Sequence, residues 1–219
     1  LQFCKLNNKG PVMSLQNRVD PWGNLHAVNA RGNWMGNRGI LHNSDKQIIS
    51  QWRHKQWVTC ALSFKGRQRE IFAPNSYSEL FFLDEATALA AGHRPCAECR
   101  REKYKEFKTI WFQANPQFGN ETSSISVIDK QLHLERVDRA KNKVTFNAIV
   151  SSLPEGTIFE HESNSYLIWE DQYFLWTHHG YMKTMQAVSI DTCVAVLTPA
   201  SIVAIYRLGF KPQTHPSIE

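Results

Sequence analysis

No run in this sequence is apolar for long enough to cross a membrane, and no tract is of low complexity. The first residues, Leu1-Gln2-Phe3-Cys4-Lys5, lack the apolar core of a secretory signal. Cysteine is scarce, with five in 219 residues and only two of them close together. That usage argues against a disulfide-built scaffold and fits a reducing cytosol, so a cytoplasmic location is expected. The glycines meet neither the Walker nor the Rossmann spacing, which excludes those phosphate loops. No nucleophile–base pair and no carboxylate cluster stands out. Simple binding therefore ranks above catalysis.

What is present centres on residues 80–100. Leu80-Phe81-Phe82-Leu83 reads as a short apolar strand. Asp84 can cap a helix over 85–91, with acidic residues at its positive end. Gly92 ends that helix, because a left-handed closing residue costs glycine almost nothing. Pro95 then fixes the backbone before a Cys96-Ala97-Glu98-Cys99 knuckle. A second helix over 98–114 follows, with Tyr104, Phe107, Ile110 and Trp111 spaced to form its buried face. Two thiols at the mouth of a helix suit a metal: the helix N-terminus favours thiolate, and the spacing lets both sulfurs reach one ion. The alternative is a reduced, metal-free pair.

The run Ala86-Thr87-Ala88-Leu89-Ala90-Ala91-Gly92-His93-Arg94-Pro95-Cys96-Ala97-Glu98-Cys99 resembles half of a known site. It is similar to the second half of the metal-binding domain of Ada-type DNA alkylation-repair proteins, a half-motif also found in zinc modules attached to nucleases. The resemblance covers about residues 79–107. It implies a structural zinc, with Cys96 and Cys99 as two of four thiolate ligands, and a role connected with DNA. The family's other two ligands form a Cys-x-x-x-Cys pair just before the strand, and residues 70–78 hold neither Cys nor His. Cys60 is then expected as the third ligand and His42 or His54 as the fourth, although a lone strand cysteine is often a small core residue. In the family a zinc-bound thiolate also accepts an alkyl group; here that acceptor would have to be Cys60. The wider chain is similar to a bacterial family of uncharacterised proteins, which implies no activity.

Charge is uneven along the chain. Residues 1–115 hold 17 Lys and Arg against 9 Asp and Glu, a surplus of eight, whereas residues 116–219 hold 8 against 11. The basic part is the part with the knuckle, which points to a polyanionic partner, DNA or RNA. Within it, residues 31–42 carry three Gly, two Asn, two Arg and Trp34. Such a segment suits close backbone approach to a ligand, with Arg31, Asn37 and Arg38 at phosphates and Trp34 as a stacking plate. An ordinary Gly-rich hairpin is the competing reading. Residues 57–64 and 69–73 read as antiparallel strands around a basic turn bearing Lys65, Arg67 and Arg69. Arg100 and Arg101 add charge beside the knuckle.

Residues 1–21 are expected to be a poorly ordered lead-in, followed by a strand over 23–30. Residues 115–124 read as a linker, followed by a helix over 125–140 whose His133, Glu135 and Arg136 are expected on the surface. Strands over 157–161, 166–169, 173–177 and 193–197 complete the chain, with hairpin turns at Asn164-Ser165 and Asp171-Gln172. His178 and His179, read as strand residues, point to opposite faces, so at most one faces a pocket as an acid or base. Residues 197–212 repeat the logic of 83–95: cap, short helix, Gly, ring, basic residue, Pro.

The sequence thus predicts an α+β fold of small antiparallel sheets, with a Cys-x-x-Cys knuckle leading into a helix and a mostly-β C-terminal subdomain. The expected domains are 1–115 and 116–219. The expected function is zinc-stabilised nucleic-acid binding, in DNA repair or processing, with no membrane partner. The contacts would be Arg31, Trp34, Asn37, Arg38, Arg67, Arg69, Arg100 and Arg101, and the metal ligands Cys96, Cys99, Cys60 and His42. The alternative is an enzyme acting on a nucleic acid or nucleotide. Its pocket would be built from Arg31, Asn37, Arg38 and His42, with His178 as a further acid or base.

Overall fold

Apolar residues at Val19, Leu80 and Phe82 draw six short strands into one sheet around the middle of the basic half. The structure is a computed structural model and describes residues 14–68, 70–183 and 188–218. The strands are β1 (Arg18–Val19), β2 (Leu25–His26), β3 (Trp34–Asn37), β4 (Val58–Cys60), β5 (Leu80–Phe82) and, beyond helix α1 (Glu85–Ala90), β6 (Arg94–Pro95). Their order is β2-β1-β5-β3-β4-β6, with β1–β5 and β4–β6 parallel. Helices α2 (Arg101–Ala114) and α3 (Ile125–Arg136) follow. A second sheet then comprises β7 (Phe146–Ile149), β8 (Ile158–His161), β9 (Asn164–Trp169), β10 (Gln172–Thr177), β11 (Gly180–Lys183) and β12 (Cys193–Val196). It is wholly antiparallel, in the order β11-β10-β9-β8-β12-β7, and helix α4 (Ala200–Arg207) follows it. The α+β class holds.

The start and stop of α1 obey the local rules. Asp84 Oδ1 accepts from Thr87 N at 2.8 Å and from its hydroxyl at 2.6 Å, satisfying an amide that the helix leaves over. Gly92 closes the helix at φ +80°, and a Cβ there would lie 2.6 Å from the Arg136 side chain. Its amide bonds Leu89 O, and the next amide, of His93, bonds Ala88 O. The repeat seen in the sequence is real in geometry: Gly209 sits at φ +87°, its amide bonds Tyr206 O, and Phe210 N bonds Ile205 O. The chain beyond this second stop returns to the first helix. Gln213 N donates to Glu85 Oε2 and His215 N to Asp84 Oδ2.

Several expectations are corrected. Residues 14–21 belong to the first sheet rather than to a loose lead-in, with Asn17, Val19 and Asp20 buried; residues 1–13 lie outside the described residues. The strand expected over 23–30 is only Leu25–His26. The strand over 57–64 stops at Cys60 and has no partner from 70–73, because β3 and β6 occupy its two edges. The glycine-rich segment is a central strand, not a ligand loop. In β3, a Cβ on Gly36 would lie 2.4 Å from Val58 O and 2.8 Å from the Phe82 ring. The glycine is there for close packing. Gly36→Ala should cost about 1–3 kcal/mol or more by forcing β3 and β4 apart, visible as a lower urea midpoint at unchanged slope.

In the C-terminal half the four expected strands form, and β7 and β11 are added. The turns fall slightly earlier than read, at Glu162-Ser163 and Glu170-Asp171, each residue at positive φ as a primed hairpin turn requires. His178 and His179 form the turn between β10 and β11, not a strand. The two sheets lie on either side of residue 115, yet the buried clusters cross it. Phe107 and Trp111 of α2 pack with Ile128 and Leu132 of α3 and Ile202 and Ile205 of α4, while Ala86 and Ala90 of α1 pack against Ile158, Leu167 and Trp176.

Candidate metal centre

Parallel pairing of β4 with β6 builds the centre. Val58 is registered with Arg94 and Thr59 with Pro95, and Cys96 N donates to Thr59 O at 2.9 Å. The next residue of β4 is Cys60, so it meets Cys96 across the ladder. Cys99 folds back through the knuckle, and the ligand atoms of Cys60, Cys96 and Cys99 all lie within 4.8 Å of one another. These three cysteines could hold a metal ion. The chemistry of the set agrees: three soft sulfurs, no disulfide among them, and Glu98 N donating to Cys96 Sγ at 3.4 Å.

Proton sharing within the cluster is asymmetric. The hydrogen bond from Cys60 lowers the Cys96 thiol to about 5, aided by the amides of Cys99 and Glu98 and opposed by burial. The same bond, with burial behind it, pushes Cys60 far up. Burial, then the charge on Cys96, raises Cys99. A thiolate at the head of α2 also gains from the helix N-terminus.

The knuckle is braced from behind. Arg100, 8% exposed, donates to the fully buried Glu85 at 2.6 Å and stacks on Trp34 at 3.9 Å. Arg94 makes a two-pronged pair with Asp129 of α3, at 2.7 and 2.9 Å. In front, the three cysteines open onto a pocket of about 500 Å³. Met35, Phe64, Ile71 and Phe81 give it an apolar wall, and Asn37, Gln68, Tyr77 and Glu79 supply polar groups. Arg67 and Glu98, paired at 2.5 Å, stand at its rim. The sequence offered no signal for Tyr77 and Glu79.

The remaining candidates are scattered. His42 does not join the three sulfurs: its ring stacks on Phe72 and its Nδ1 lies 2.6 Å from the Ser78 hydroxyl. With His54 it lines a separate shallow hollow. Arg38 is buried, stacked on Trp57 at 4.0 Å and bonded to Gly23 O. Arg38 and Arg100 are thus interior groups, and Trp34 is covered by Arg100. Arg31, Arg67 and Arg101 are exposed, and Asn37 lines the sulfur pocket. Arg69 lies outside the described residues, as does Cys4. His178 sits half-buried against His26 and Trp176, where burial and then the neighbouring His26 lower its pKa. Arg31, Asn37, Arg38 and His42 do not form one pocket: Asn37 lines the sulfur pocket, Arg38 a second cavity and His42 a third, and Arg31 lines none of these. Arg136, expected on the surface, is 1% exposed. Among the described residues, no helix is long and apolar enough to cross a membrane. No family model, curated protein or solved structure matches the chain.

Proposed function

We propose that the protein binds one zinc ion through Cys60, Cys96 and Cys99 and engages nucleic acid on the face that carries this centre. The observation that carries the reading is the convergence, within 4.8 Å, of one sulfur from β4 and two from the knuckle after β6. Sulfurs around a tetrahedral zinc stand about 3.8 Å apart, given Zn–S bonds of about 2.3 Å, so a small contraction accommodates the ion. When bound, zinc ties β4 to the knuckle and, where its fourth position stays open, supplies a Lewis-acid site. His42 lies apart from the three sulfurs, against Ser78 and Phe72.

The nucleic-acid part rests on the surplus of positive charge in residues 1–115 and on its placement around the pocket. Lys65 and Arg67 rise from the loop beside Cys60, and Arg101 and Lys105 are exposed on the helix that leaves Cys99. Phosphate contacts from these groups make binding salt-dependent. Replacing Arg67 and Arg101 together by alanine should lower the slope of log K against log salt by about 1.8 on duplex DNA, at about 0.9 per phosphate contact. Fluorescence anisotropy between 50 and 200 mM salt measures it. An unchanged slope moves the contact surface elsewhere, and no binding by zinc-loaded wild type removes the reading.

One observation favours a second reading, an enzyme acting on a nucleotide. The sulfurs face a pocket that also presents Asn37, Tyr77 and Glu79. A metal there would keep an open position next to groups able to hold a substrate and move a proton. Turnover that survives Arg67→Ala but vanishes in Glu79→Gln would select this reading over simple binding.

A further inference from the structure

A second cavity, of about 210 Å³, shares no lining residue with the sulfur pocket. Its wall includes Arg38, Arg136 and Lys143, with Gln51, Asn24 and Trp57. The two guanidinium groups sandwich the Trp57 indole, at 4.0 and 3.9 Å from the ring. Each is 1% exposed. Arg38 donates from Nε to His93 and from Nη1 to Gly23 O, but its Nη2 has no partner among the described residues. Arg136 donates to Gly92 O and Lys55 O, and its Nε has none among them. Lys143 donates to Ala90 O at 2.6 Å.

None of these three cations forms a salt bridge among the described residues. The nearby carboxylates are committed: Asp129 to Arg94, and Asp20 to His26 and to the amide and side chain of Asn24. Elsewhere this chain does pair its buried cations, Arg94 with Asp129 and Arg100 with Glu85. Burying an unpaired charge costs several kcal/mol even after relaxation. Two buried guanidinium groups and a half-buried ammonium around one hollow are a concentration that folding alone does not require. Burial lowers Lys143 to about 7 and Arg38 to about 9, with Asp20 pulling both the other way. Burial also lowers Arg136, with the charge of Arg38 adding to it.

We propose that this cavity is a binding site for a tetrahedral dianion, free phosphate or the phosphate of a phosphomonoester, held by Arg38, Arg136 and Lys143. Charge decides the class. Two guanidinium groups and an ammonium exceed what one carboxylate can balance, and unused N–H donors of buried guanidinium groups suit phosphate oxygens. The volume equals roughly seven waters at about 30 Å³ each, room for a phosphate and a little more. Asn24 and Gln51 offer amide groups for whatever the phosphate carries.

The test is a titration of sodium phosphate up to 10 mM at pH 7, with ionic strength held by chloride, read by 31P line width and by melting temperature. Uridine 5′-monophosphate and uridine form parallel arms. Wild type should broaden the phosphate line saturably and gain stability in step with it. Lys143→Met should fold with equal or higher stability in the absence of phosphate and bind at least tenfold more weakly. Tighter binding of the monophosphate than of phosphate identifies an ester as the ligand; equal binding identifies free phosphate. A wild-type line that stays sharp in both arms overturns the proposal, whatever the variant does. So does equal affinity in Lys143→Met, or a stability gain that rises without saturating, as surface exclusion of a salt would give.

Discussion

Purified wild-type protein is expected to carry one zinc per chain, and Cys60→Ser and Cys96→Ser to carry none. The two losses arise differently. Cys96 is part of a local knuckle, whereas Cys60 would reach an ion only through the β4–β6 ladder, so its effect would report on a sheet formed around the metal. Structural zinc sites in small peptides are worth about 10–16 kcal/mol at neutral pH, and even a fraction of that is large beside a domain's net stability. Chelation should therefore lower the melting temperature of wild type and leave the two serine variants where they already lie. Metal analysis with calorimetry before and after chelator measures both. Zinc retained at full occupancy in Cys60→Ser would confine the site to the knuckle; no metal in fresh wild type would falsify the assignment.

The second large effect is expected at Glu85. Its carboxylate is fully buried, accepting from Arg100 through one oxygen and from the amide of Gln213 through the other. Glu85→Ala leaves the Arg100 guanidinium buried over Trp34 with no anion among the described residues, where Nη1 of that group already lacks a partner. Breaking such a pair from one side costs about 3–5 kcal/mol, which at this size lowers the melting temperature by roughly 10 °C or more. The reverse comparison separates charge from packing: Glu85→Met with Arg100→Leu should be more stable than Glu85→Ala alone. If the double replacement is the less stable of the two, the pair is not what holds this corner. Arg100 also follows directly on Cys99, so Glu85→Ala should weaken zinc retention too.

The legible parts of this fold were those encoded by neighbours in sequence. Asp84, Gly92 and the knuckle carry their own signals: a cap three residues before its amide, a stop that tolerates positive φ, and two thiols spaced for one ion. Four strands of the second sheet were placed within a residue or two, and β7 and β11 were missed. What failed depended on distant partners. Gly36 read as ligand-binding backbone because nothing nearby reveals that Val58 O and Phe82 press against its α-carbon. Arg38 read as a phosphate contact and Arg136 as a surface residue because only the folded chain brings Trp57 between them. His42 was a reasonable fourth ligand by sequence position, but the bridge from His42 to Ile48 turns that segment toward Phe72 and Ser78 instead. Cys60 was named as the third sulfur, although the parallel pairing that delivers it lies beyond any local pattern.

That parallel pairing also sets an order of events during synthesis. Strands joined in parallel close late, since a long intervening segment must be ordered before the pairing is rewarded. In this chain the segment contains β5 and α1, so both are expected to be in place before Cys60 and Cys96 come together. A growing chain would then offer an ion only the two sulfurs of the knuckle, with Cys60 joining after the sheet has closed. Loading of a metal at these sulfurs would be a last step of maturation, a seal on a finished sheet.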